Sequence, residues 1–126
     1  MNKSKRPIYL NLTKIQLPVA GLASILHRVS GVIMFFSIGI LLWLLNQSLM
    51  SETDFNTLQA HLQSYVLKFI VWGILTAFFY HLLGGIRHMV MEAGYWEELE
   101  SGRLSAKGII FLTGVFAVYL GVWLWQ

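Results

Sequence analysis

The sequence predicts an all-α integral membrane protein with three transmembrane helices. Two observations carry that prediction. Of the 126 residues, 56% are hydrophobic and only 12% charged, with mean hydropathy +0.63, which is too apolar for a small soluble domain. The apolar residues also fall into stretches long enough to cross a hydrocarbon layer of about 30 Å, which takes roughly 20 helical residues. The whole chain, 1–126, reads as one membrane-anchor domain with a tail at 1–17 and spans at about 19–49, 65–90 and 108–126.

Each element has a local reason. The tail carries Lys3, Lys5, Arg6 and Lys14 and no acidic residue. It does not read as a secretory signal, because the apolar stretch after it is too long and has no small-residue cleavage site. Pro18 opens span one, since proline is tolerated in the first turn of a helix. Span one then runs through a nearly unbroken apolar stretch, Val32–Leu45. The first connection, 46–64, holds Glu52 and Asp54 but neither Lys nor Arg. The second, 91–107, holds Glu92, Glu97, Glu98, Glu100, Arg103 and Lys107. It reads as a solvated loop, with docking of another protein as the sharper alternative. Span three, ending at Trp125, is about 27 Å long, just enough to cross.

Counting Lys and Arg alone, the tail and second connection are basic and the first connection is empty. The positive-inside rule then predicts a cytoplasmic N-terminus and a C-terminus on the outer side of the membrane. Trp43, Tyr65, Trp72, Trp123 and Trp125 are expected as an outer aromatic belt, with Tyr95 and Trp96 at the inner face. Lys68, one turn inside span two, is expected to snorkel outward.

Composition also limits the chemistry. With no cysteine there is no disulfide, no thiolate-held iron–sulfur cluster and no covalent c-type haem. The net charge of +3 does not point to nucleic acid, because the basic residues form no stripe interleaved with aromatics. There is no room for a separate soluble catalytic domain.

Ionisable residues at membrane depth mark cofactor, proton or substrate paths. In span one, Ser24, His27, Arg28 and Gly31 recur at spacings of three and four and share a face. Arg28 offers a planar fork of donors for carbonyl or carboxylate oxygens, and Ser24 a hydroxyl. The plainer alternative is an arginine snorkelling to headgroups and a serine bonded to its own helix. In span two, Gly73, Ala77, His81, Gly84 or Gly85, and His88 form a small-residue stripe that admits a helix or a flat ring. His81 suits metal ligation, against the alternative of a histidine bonded to a neighbouring helix. Arg87 and His88 are expected at the interface as propionate or headgroup contacts. His61 reads as an ordinary loop histidine. With a single deep ligand candidate, a six-coordinate haem needs its second histidine from another polypeptide. The residues thus indicate a membrane cytochrome subunit of a hetero-oligomer, its bundle completed by a partner.

Three motifs carry a resemblance over nearly the whole chain. They are Arg6-Pro7 followed by Leu10-Asn11-Leu12, the S-x-x-H-R-x-x-G of Ser24, His27, Arg28 and Gly31, and the H-x-x-x-G-x-R-H of His81, Gly85, Arg87 and His88. Together they resemble the cytochrome b membrane-anchor subunits of succinate dehydrogenase, in the bacterial form of the larger anchor of respiratory complex II. The resemblance implies that His81 is the axial ligand of haem b shared with a smaller hydrophobic anchor subunit. It implies that Ser24 and Arg28 contact ubiquinone beside an iron–sulfur subunit, itself joined to a flavoprotein subunit. It further implies that His27 and Arg28 lie near the haem propionates. One departure is visible: Glu92 stands where the family usually has aspartate, which keeps the charge of a possible proton relay on a longer arm.

On these grounds the expected function is that of a non-autonomous subunit passing electrons from succinate to quinone, in the tricarboxylic acid cycle and aerobic respiration. An anchor of a quinol:fumarate reductase and a haem-free structural anchor are the competing readings. A small transporter or channel subunit would want polar residues through the full membrane depth, and span three is apolar.

Overall fold

The computed structural model describes residues 17–126, and the described residues are helical apart from short connections. The order is α1 (Val19–Met50), α2 (Glu52–Leu62), α3 (Tyr65–Glu92) and α4 (Leu99–Trp125). Helices α1, α3 and α4 are each long and apolar enough to cross a membrane. They pack against one another as an antiparallel three-helix bundle. The basic tail falls almost wholly outside the described residues, as do the Arg6-Pro7 and Leu10-Asn11-Leu12 motifs.

Two boundaries differ from expectation. The first connection is not a plain loop but contains a helix, α2. Its start is a local capping arrangement: the Ser51 side chain accepts from the Asp54 backbone N–H at 3.1 Å and donates to the Asp54 carboxylate at 2.6 Å, satisfying a donor orphaned at the helix terminus. The last helix begins at Leu99, nine residues before the expected start of span three. Hydropathy locates the part of a helix that sits in hydrocarbon, and the charged first turns of α4 fall outside that part. The true connection is short, and its reversal uses left-handed backbone at Gly94 (φ 86°) and Trp96 (φ 58°). Gly102 is needed just beyond it, because a Cβ there would stand 3.1 Å from the Trp96 carbonyl oxygen.

Small residues set how closely the helices approach. Ala23, Ser30 and Ser37, seven apart along α1, are its buried positions. Gly102, Ala106, Ile109, Thr113 and Leu120 recur at spacings of three, four and seven along α4, the pattern of a tight seam between helices. The core cluster is Ala23, Tyr80, Ala106 and Ile109, with Val19, Ala20, Leu83 and Ile110 packed around it. It therefore sits at the bundle end formed by the start of α1, the end of α3 and the start of α4. Most of the outer surface is apolar: Phe35, Phe36, Phe69, Phe111 and Val118 are all more than 60% exposed, as suits faces in contact with lipid or other membrane helices.

Candidate functional site

The α1–α3 seam brings the two candidate histidines face to face. Their rings stack with centroids 4.2 Å apart and planes 6° from parallel. Two glycines make room for this arrangement, each opposite one imidazole on the other helix. A Cβ on Gly84 would come within 2.6 Å of His27 Cδ2, and one on Gly31 within 3.1 Å of His81 Cε1. The sequence stripe of small residues in span two thus receives an imidazole of α1. His88, two turns beyond His81, meets His27 edge-on, with centroids 4.9 Å apart.

Hydrogen bonding around the stack is uneven. His81 Nδ1 lies 3.0 Å from Ser30 Oγ and 3.2 Å from the His27 carbonyl oxygen. Among the described residues nothing bonds His81 Nε2. His27 Nε2 is buried and has no partner among the described residues. The neighbouring Tyr80 hydroxyl donates to the Ala23 carbonyl at 2.8 Å and ties α3 to α1. Ser24 is half-buried and Arg28 exposed. They lie one turn apart, on the stretch of α1 that ends at the stacked pair.

Ser30 also lines an apolar groove of about 270 Å3, together with Ile33 of α1, Gly73, Thr76 and Ala77 of α3, and Thr113 of α4; neither histidine of the stack reaches it. Thr76 Oγ1 is also buried without a partner, though a side-chain hydroxyl inside a helix can bond back to its own carbonyls. Thr113 and Ser37 do so, at 2.8 Å each.

The structure corrects the placement of Arg87. It was expected at the interface beside His88, facing propionates or headgroups. Instead it is 4% exposed. Its Nε donates to Ser105 Oγ at 3.0 Å and its Nη2 to the Gly102 carbonyl at 3.1 Å. The short Ala93–Glu98 connection brings the start of α4 alongside Arg87, and uncharged acceptors there take the fork that was expected to face outward. Trp72, half-buried, faces α4, where its Nε1 donates to the Ala117 carbonyl at 2.8 Å. Trp43, Tyr65, Trp123 and Trp125 remain exposed, as do Tyr95 and Trp96. Lys68 is half-buried near the far end of the bundle and His61 is exposed on α2 rather than on a loop. Glu92 is the last residue of α3 and exposed.

Ser30, Tyr80 and Ser105 were given no role by sequence reasoning. Ser30 lies inside the first histidine motif, but only the register of α3 against α1 reveals what it touches. The described residues contain no cluster of three or more His, Cys, Asp or Glu able to hold a metal ion. A b-type haem asks less of one chain: one imidazole nitrogen for the iron and room for a flat ring beside the backbone. His81 Nε2, unbonded among the described residues, fits the first demand; the glycines serve it indirectly, since the space opposite Gly31 and Gly84 holds the two imidazoles themselves.

Comparison with known proteins agrees with the geometry. Residues 2–121 match the family model described as succinate dehydrogenase/fumarate reductase transmembrane subunit. A relative named succinate dehydrogenase cytochrome b556 subunit, from Coxiella burnetii, is 37% identical over 97% of this chain and 98% of its own length. The protein of the same name from Paracoccus denitrificans is 31% identical over 94% of this chain and 91% of its own. A cytochrome b560 subunit from Reclinomonas americana is 32% identical over 94% and 85%. With three apolar spans, a stacked histidine pair and a family match over nearly its full length, the chain belongs to the transmembrane subunits of succinate dehydrogenase and fumarate reductase.

Proposed function

We propose that this chain is the haem b-binding anchor subunit of a bacterial succinate:ubiquinone oxidoreductase, in which it holds the soluble subunits at the membrane and forms part of the quinone site. The stacked His27–His81 pair carries the reading. Two glycines and the buried Ser30 hold the two imidazoles face to face on apolar helices, and His27 Nε2 is left buried without a partner among the described residues. An isolated polar atom in that setting costs free energy unless something bonds it. The names of the relatives favour the succinate direction over fumarate reduction.

In this reading His81 Nε2 would hold the haem from this chain, together with a histidine of a smaller hydrophobic anchor subunit, and His27, Arg28 and His88 would bind its propionates. The group would supply one-electron storage. Ser24 and Arg28 form the quinone contact, beside an iron–sulfur subunit that a flavoprotein subunit feeds with electrons. Their hydroxyl and guanidinium donate hydrogen bonds to a quinone carbonyl oxygen. That oxygen gains negative charge as the ring is reduced, so the donors bind the transition state more strongly than the neutral ring. Glu92, exposed at the end of α3, exchanges the required protons with water.

The orientation that suits this reading has the N-terminus in the cytoplasm and the C-terminus in the periplasm. Supporting it are Arg103 and Lys107 on the first turns of α4, the basic tail, and the absence of Lys and Arg from 46–64.

The test is a reduced-minus-oxidised optical spectrum of His81→Leu in the assembled complex. Loss of the low-spin bis-imidazole signal is expected, with succinate oxidation by a soluble dye retained because the flavin lies in another subunit. An unchanged low-spin spectrum would sink the ligand assignment.

A further inference from the structure

We infer that Ser30 is a positioning residue for His81, fixing its tautomer and ring orientation so that Nε2 presents a lone pair. The inference rests on the proposed role of His81 as axial ligand. The hydrogen count decides it. A carbonyl oxygen can only accept, so the contact between His81 Nδ1 and the His27 carbonyl at 3.2 Å requires the proton on Nδ1. The Ser30 hydroxyl has a single hydrogen, which it donates to that same His27 carbonyl at 2.7 Å. Towards His81 Nδ1, 3.0 Å away, Ser30 Oγ can therefore only accept. Both contacts demand the Nδ1–H form and leave Nε2 deprotonated. Ser30 is only 4% exposed, so water does not compete for the bond. An acceptor on the far N–H of a ligating imidazole fixes its tautomer and raises its basicity.

A more basic ligand favours ferric over ferrous iron, so removing Ser30, the nearer of the two acceptors on Nδ1–H, should raise the haem midpoint potential. The experiment uses the assembled complex in isolated membranes and compares Ser30→Ala, Ser30→Thr and Ser37→Ala. Ser37 is the control: it is equally buried in the same seam and bonded back to Ile33, with no bond to an imidazole. Ser30→Ala should keep its haem but show an upward shift in potential and altered low-spin g-values in the electron paramagnetic resonance spectrum. Ser30→Thr, which keeps the hydroxyl, should restore both, and Ser37→Ala should move neither. Should Ser30→Ala reduce the amount of complex, Ser30→Cys keeps the volume with a much weaker acceptor and carries the same expectation. Potential and g-values at wild-type values in Ser30→Ala would overturn the inference, provided His81→Leu has lost the low-spin signal. A His81→Leu complex that keeps the signal instead removes the ligand assignment, and the role of Ser30 with it.

Discussion

The two seams of α3 use polar residues in opposite ways. Against α4, the polar side chains are closed off: Arg87 spends Nε and Nη2 on Ser105 and Gly102, and Trp72 spends its indole N–H on Ala117. Phe79 stacks on Phe116 between those two ties. Against α1, polar atoms are left over. Among the described residues His27 Nε2 is buried without a partner, and His81 uses only Nδ1. The first arrangement is what a structural interface requires, because a buried polar group without a partner costs about 1–3 kcal/mol. A seam that leaves such groups open is a place for something else to bind. The comparison thus assigns stability to α3–α4 and chemistry to α1–α3, and mutations on each side can break it.

The largest effect is expected where the closed seam is opened. Arg87→Ala removes two hydrogen bonds from a charged donor, worth about 1.5–3 kcal/mol each, and leaves a cavity beside Ser105. Loss of stability on the order of 3 kcal/mol should appear as a lower Tm of the detergent-solubilised complex. Arg87→Lys should recover only part of it, since an ammonium cannot reproduce the two-pronged geometry. If the Arg87→Ala complex instead keeps its Tm while the haem spectrum changes, Arg87 belongs to the chemical seam and the division fails.

A smaller effect in free energy, though large in rate, is expected at the open side. Ser24→Ala and Arg28→Leu each remove a donor proposed to act on a charging carbonyl oxygen. At about 1.5–3 kcal/mol, felt only in the transition state, this corresponds to a roughly 10- to 150-fold fall in succinate:quinone activity. Dye-linked succinate oxidation and Tm should hold. Haem content is measured beside activity, because Arg28 is also proposed to meet a propionate. Normal quinone reduction by both variants would return Ser24 and Arg28 to the roles of a helix-bonded serine and a snorkelling arginine.

What the sequence disclosed divides along the same line. The three spans were legible because hydropathy reports membrane depth directly, and the small-residue stripe of α3 because its spacing is helical. Depth says nothing about rotation, however. Whether Arg87 faces lipid or a neighbouring helix depends on how far α4 extends before it enters the membrane, and its charged first turns look like loop. Likewise, His27 and His81 could be named separately, but their stacking depends on the register of two helices more than fifty residues apart in sequence. Ser30 was unremarkable for the same reason: a serine in a membrane helix gains meaning only from what the facing helix places against it. The capped helix α2 was detectable in principle, since Ser51 and Asp54 carry the spacing of a cap.

The smallest effect tests the glycines, and it isolates shape from chemistry. Gly84→Ala adds one methyl group that would lie 2.6 Å from His27 Cδ2. Real contacts of that kind are essentially absent, so His27 must turn or α1 must move away. Overpacking of a tight seam costs about 1–3 kcal/mol. Part of this is recovered because glycine to alanine favours the helix by about 1 kcal/mol. The net change in Tm should therefore be slight. The imidazole stack cannot absorb the methyl group so easily, and the haem spectrum should shift even where stability does not. Gly39→Ala is the matching control, since a Cβ there meets nothing within 4 Å and only the gain in helix propensity remains. A slightly raised Tm with an unaltered spectrum is expected for Gly39→Ala. If Gly84→Ala behaves the same way, the glycine is not what holds His27 in place, and the open seam loses one of the supports that make it a site.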